Sequence, residues 1–96
     1  MEIPRLSDKE YLILDLLIGH GEMYGLEMVK RDPKLKRGTV YVTLARMADK
    51  GYVTSRTVEE DGAPGLPKRL FRPTGLGERV FRAVSQAGAT LAGGIA

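Results

Sequence analysis

Lys34, Lys36 and Arg37 stand immediately ahead of a segment in which Thr39, Val42, Ala45, Arg46 and Asp49 follow a helical spacing. At about 100° per residue they share one side of a helix, flanked by Tyr41, while Val40, Leu44 and Met47 fall within about 60° of one another on the other side. The second set reads as a core stripe. The first set offers a hydroxyl, small apolar groups and a guanidinium to the outside, and core packing has no use for a valine there. Such groups meet thymine methyls, phosphates and guanine edges in a major groove, and the cations ahead of the helix suit phosphates. The chemistry is therefore recognition without bond making. Lys34, Lys36 and Arg37 are assigned to phosphates, Arg46 to a base edge or a phosphate, and Thr39 and Val42 to the same surface.

The charge distribution agrees with that placement. The whole chain carries only +3, from 15 basic and 12 acidic residues. Residues 1–29 carry −4, whereas residues 30–56 hold eight basic residues against Asp32 and Asp49, a local +6. A basic run alone is an ordinary solvated face; one that coincides with a helix of this pattern is a nucleic-acid footprint. Catalysis finds no candidates. His20 is the sole histidine and there is no cysteine, so thiol nucleophiles, histidine-pair metal sites and histidine relays lack members. Glu59, Glu60 and Asp61 lie among turn formers, where carboxylates are solvated rather than tuned. No enzyme, metal or cofactor is expected.

The elements that must position these residues are legible in outline. With 96 residues, 43% of them hydrophobic, the chain reads as one domain, a winged-helix unit over residues 1–90 followed by a flexible small-residue tail over 91–96. A domain of this size removes only about 60% of its unfolded surface from water, so a partner subunit would help it. The longest apolar stretch, residues 11–18, is too short for a bilayer span or a secretion signal, and the lack of cysteine fits a cytoplasmic protein. Ser7-Asp8-Lys9-Glu10 is a capping box that starts a first helix near Asp8, ending at Gly19-His20-Gly21. That helix is apolar nearly all round. Leu12, Ile13, Leu16 and Leu17 form a stripe for the domain, and Tyr11, Leu14 and Ile18 form another for a partner subunit. A second helix, about residues 24–31, offers Leu26, Met28 and Val29 to the core. The third spans about residues 39–50, with Gly51 as its C-terminal cap. Residues 52–58 and 68–72 make a hairpin around the loop 59–67, which is rich in glycine and proline. Thr74 caps a last helix, about residues 75–89, carrying Leu76, Val80, Val84 and Ala87 on one side for packing against another helix.

Three helices, a two-stranded β wing and a C-terminal helix are the order of a winged helix-turn-helix, an α+β fold that is mostly α. The residues also resemble a known family. Leu6-Ser7-Asp8-Lys9-Glu10 with Ile13-Leu14, Gly21-Glu22-Met23-Tyr24-Gly25-Leu26-Glu27-Met28, Gly38-Thr39-Val40-Tyr41-Val42-Thr43-Leu44-Ala45-Arg46-Met47, Lys50-Gly51-Tyr52-Val53 and Lys68-Arg69-Leu70-Phe71-Arg72-Pro73-Thr74 with Gly77-Glu78 are similar, in order and spacing, to segments of the PadR family of bacterial and archaeal transcription regulators. The resemblance covers about residues 6–82. It implies a homodimeric repressor that binds a palindromic operator in double-stranded DNA through the third helix and the wing, with Tyr41 at a phosphate, Lys68 and Arg69 on the wing, and Tyr24 as a further contact.

Three departures accompany the resemblance. The loop between the second and third helices is shorter than the family's. Lys36 stands where a capping serine is usual, and its charge opposes the helix dipole, a conflict that an incoming phosphate would relieve. The sequence ends soon after the fourth helix, as in the short subfamily whose dimers pair that helix with the first. The family also implies control by a small-molecule effector, which a chain without tryptophan, and with little length to enclose a cavity, does not support. The alternative function is a winged-helix module that binds protein through the Val42 and Ala45 surface, or DNA architecturally without sequence preference.

Overall fold

The computed structural model describes residues 4–59 and 68–93, with side chains as far as Ala87. Helix α1 spans Asp8–His20 and opens on the expected capping box. The Glu10 N–H donates to Ser7 Oγ at 3.2 Å, and the Ser7 N–H donates to Glu10 Oε1 at 2.9 Å. There follow β1 (Met23–Tyr24), α2 (Gly25–Arg31), α3 (Arg37–Asp49), β2 (Val53–Val58), β3 (Lys68–Pro73) and α4 (Gly75–Gly93). The architecture is the expected one, mostly helical with a β wing. Most of the loop 59–67 lies outside the described residues, including Glu60 and Asp61.

The wing is wider than its sequence pattern. Strand β3 lies centrally in a three-stranded antiparallel sheet of order β1-β3-β2. Opposite it, β2 pairs from Val53↔Pro73 to Val58↔Lys68, and on its other edge Met23 and Tyr24 pair with Phe71 and Leu70. Two residues are too few to establish the period-two alternation by which strands are recognised, so β1 has no sequence signal of its own. Met23 is nonetheless buried, and its strand ties the start of α2 to the wing.

The core joins all of these elements. Val40, Leu44 and Met47 of α3 are fully buried as expected, among Ile13, Leu14 and Leu17 of α1, Met28 of α2, Leu35, Met23, Val53 and Phe71. Two expectations for a partner-facing stripe fail at this point. Leu14 has no exposure and Val80 is 6% exposed, so both side chains belong to the interior of a single chain. The reason is that α1 is covered on two sides by its own chain. The ring of Tyr11 stacks on Phe81 of α4 at 4.7 Å between centroids, and Tyr11 Oη lies 2.8 Å from Ser85 Oγ. Leu26, expected in the core, is 40% exposed, since the short α2 turns only Met28 fully inward. Helix α4 continues through Gly93, past residue 89 and into the expected tail, consistent with the helix propensity of its alanines.

One junction holds α3, β2 and α4 together. Gly51, at φ +80°, ends α3 where expected. Thr74 then donates its N–H to the Tyr52 carbonyl and its hydroxyl to the Gly51 carbonyl, while that hydroxyl accepts from the Gly77 N–H at 3.0 Å. The first turn of α4 therefore lies directly on the α3–β2 connection. A Cβ at residue 77 would stand 2.1 Å from the Tyr52 carbonyl oxygen, so only glycine fits there.

Glu10 makes the second cross-tie. Its carboxylate is nearly buried and accepts from Lys50 Nζ at 2.9 Å, linking α1 to the end of α3. Burial raises its pKa, but the bonds from Lys50 and Ser7 outweigh burial and hold it below the ordinary 4.5. A lowered folded-state value means that the stabilisation is present above the ordinary value and is lost as pH falls through the lowered one. Glu10→Gln keeps the capping box and removes only the charge pair. Urea melts should find the wild type more stable by about 1 kcal/mol at neutral pH, since the Lys50 end remains half in water, and the difference should close as pH falls below the ordinary carboxylate value. A pH-independent difference would mean that the charge contributes nothing.

Candidate nucleic-acid interface

Burial of one side of α3 decides what its other side presents. Thr39, Val42, Ala45, Arg46 and Asp49 are all exposed, Val42 at 52%. Thr39 uses its carbonyl to accept the Thr43 hydroxyl at 2.8 Å, which satisfies a buried threonine that the core stripe had not included. Lys36 is the N-cap of α3 and makes no side-chain cap, so the departure noted in the sequence is real in the fold. The short loop ahead of it is pinned by the Asp32 carboxylate, which accepts the Lys34 N–H at 2.9 Å, and by Lys9 Nζ donating to the Lys34 carbonyl. The Lys34 backbone is thereby held from both sides, and Lys34, Lys36 and Arg37 are all exposed.

Beside the N-terminal half of α3 lies an open cleft of about 550 Å³, walled by the start of α2, by α3 and by β3. It brings together Tyr24, Arg37, Tyr41, Lys68 and Arg69, five of the residues singled out from the sequence. Lys34, Lys36, Thr39, Val42 and Arg46 are not among its lining. Tyr24 and Lys68 are brought close by the β1–β3 pairing, and the Lys68 ammonium sits 5.7 Å from the centre of the Tyr24 ring. Tyr41 rests against the start of α2 only because residue 25 is glycine, where a Cβ would come within 2.8 Å of Cε1 of the tyrosine ring. Tyr-Gly in α2 and the tyrosine of α3 are thus two halves of one contact.

The cleft also holds Lys30 and Leu26, which the sequence reading left in the general basic run and in the core respectively. Their place depends on the length and tilt of α2, which periodicity over seven residues cannot supply. Two of the eight middle-segment cations are occupied elsewhere: Lys50 with Glu10, and Arg56 with Glu22 at 3.1 Å. The acidic first third is therefore partly spent on fastening α3 and the wing. Arg37 and Arg46 have no carboxylate partner among the described residues, and Arg37 and Lys30 of the middle segment line the cleft. Among the described residues no cluster of three His, Cys, Asp or Glu side chains could hold a metal ion.

Comparison with known proteins agrees with this geometry. The profile of the transcriptional regulator PadR-like family matches residues 13–83. No curated protein matches the sequence significantly. Among solved structures, a PadR family transcription regulator from Clostridium difficile R20291 superposes with a TM-score of 0.75 at 24% identity, over 88% of this chain and 91% of that one. A PadR family regulator from Eggerthella lenta gives 0.73 at 26% identity, over 90% and 76%. PadR of Bacillus subtilis, solved in complex with operator DNA, gives 0.68 at 26% identity over 76% of this chain, which spans 44% of that protein's length. With most of its length matched, the chain belongs to the PadR-like family of transcriptional regulators.

Proposed function

We propose that this protein is a sequence-specific DNA-binding transcriptional repressor that acts in the cytoplasm as a homodimer on a palindromic operator. One observation carries the reading: the solvent face of α3 is complete in itself, with exposed Thr39, Val42 and Arg46, and it adjoins a cleft lined by four cations and two tyrosines, against the single carboxylate of Glu27, which accepts the Tyr24 N–H. Helix α3 enters a major groove. Lys34, Lys36 and Arg37 meet phosphates at its N-terminal end, and Tyr24, Tyr41, Lys68 and Arg69 line the path of one sugar–phosphate strand between α2 and the wing. The family match and the operator-bound relative from Bacillus subtilis support this assignment.

For the dimer, Ile18 and Leu76 remain exposed at 37% and 41%, beside the half-buried Tyr11, Val84 and Ala87. These residues form the face through which α4 of one subunit meets α1 of the other, and Leu14 and Val80 support it from beneath. Leu76→Glu should convert the dimer to a monomer in sedimentation without lowering the melting temperature by more than a few degrees. A dimer unchanged by that charge would move the interface elsewhere.

The function is tested by titrating duplex DNA from the protein's own upstream region, beside a scrambled duplex, across a salt series. Selective binding whose affinity falls steeply with salt is the expected result. Equal affinity for both duplexes would mean an architectural role, and no binding at low salt would mean a protein-binding module. Arg46→Ala should cost about 1–3 kcal/mol of specific affinity while the fold stays intact.

Gly25→Ala probes the cleft. The exposed Tyr41 ring can swing away from the added methyl, so stability should hardly change, whereas operator affinity should drop by about 1 kcal/mol, the worth of one hydrogen bond. Affinity equal to wild type would take Tyr41 out of the contact.

A further inference from the structure

Val42 is the most exposed of the large hydrophobic side chains among the described residues. It has no structural reason to be there. The core side of α3 is already filled by Val40, Leu44 and Met47, and a β-branched residue is a slightly poor helix former. On the same face, one turn on, lies Arg46, with the exposed Ala45 beside it. Asp49 closes the far end with an exposed carboxylate that repels phosphate, so the useful surface is the N-terminal three turns.

The occupant of this surface follows from its charge. An apolar patch beside the exposed Arg46, on a helix whose N-terminal end carries Lys36 and Arg37, suits a polyanion that offers an apolar group of its own, and in the major groove of a duplex that group is the thymine 5-methyl. We infer that Val42 selects a thymine in each operator half-site through contact with its 5-methyl group, and that Arg46 reads a guanine about two base pairs away. The spacing comes from the helix. Four residues advance about 6 Å along the axis, and stacked bases are about 3.4 Å apart. The inference rests on the DNA-binding reading above, and adds to it which base is recognised and by which atoms.

Replacing thymine by uracil removes the methyl and nothing else. A duplex selected by the purified protein from a random-sequence pool is resynthesised with each thymine in turn changed to uracil, symmetrically in both half-sites. Wild-type protein should lose about three- to tenfold affinity at one thymine position per half-site, as burial of a methyl group predicts, and little at the others. Val42→Ala, at an exposed site where folding is unaffected, should bind the thymine and uracil duplexes equally. Arg46→Ala should bind more weakly but keep the thymine preference. Selective operator binding that is indifferent to every uracil substitution would overturn the inference and leave the DNA-binding function standing, as would a thymine preference that survives in Val42→Ala. Failure to select any sequence from the pool would overturn the functional reading and the inference with it.

Discussion

Burial of Val40, Leu44 and Met47 sets the rotation of α3 about its own axis, and the arrangement of its exposed face follows from that setting. A helix with three side chains locked into a close-packed interior cannot turn without opening cavities. Its opposite face is therefore as rigid as the core. The proposed reading of base edges by Thr39, Val42 and Arg46 would draw on that rigidity, because discrimination between base edges depends on placement to within a fraction of an ångström. The small exposed residues cost the fold little, since what anchors the helix lies behind them.

The rest of the molecule serves to hold α3 against its neighbours. Its C-terminal end is fastened twice, by the Glu10–Lys50 pair to α1 and by the Thr74 and Gly77 contacts to α4. Its N-terminal half faces α2 across the Tyr41–Gly25 contact, and β1 ties α2 to the wing. Acidic residues of the first third thus have a structural use: Glu10 and Glu22 each take a cation out of the middle segment, leaving the remaining ones near α3 and the cleft. The modest total charge of +3 conceals this sorting.

Much of the architecture was legible because it is written in local chemistry. The capping box of α1, the apolar stripe of α3, Gly51, the β-branched run of β2 and the Thr74 cap are signals within a few residues of one another, and each was found where expected. The errors have a common cause. Leu14, Val80 and Leu26 were placed by helical periodicity, which tells which residues share a face but not what covers that face. An all-apolar α1 is compatible with a partner subunit or with its own α4, and the Tyr11–Phe81 stack, 70 residues apart in the chain, sets part of that side against its own α4.

The order of the four helices and the wing hairpin, and which face of α3 is exposed, were determined by the sequence alone, because capping, turn chemistry and 3.6-residue periodicity act over one or two turns. Tertiary structure decided what depends on contacts distant in the chain. These are the third strand, the cleft that gathers Tyr24, Lys30, Tyr41 and Arg69 from four elements, and the two ion pairs. Such contacts carry no local signature, since each partner's residue type is compatible with many neighbours until packing selects one.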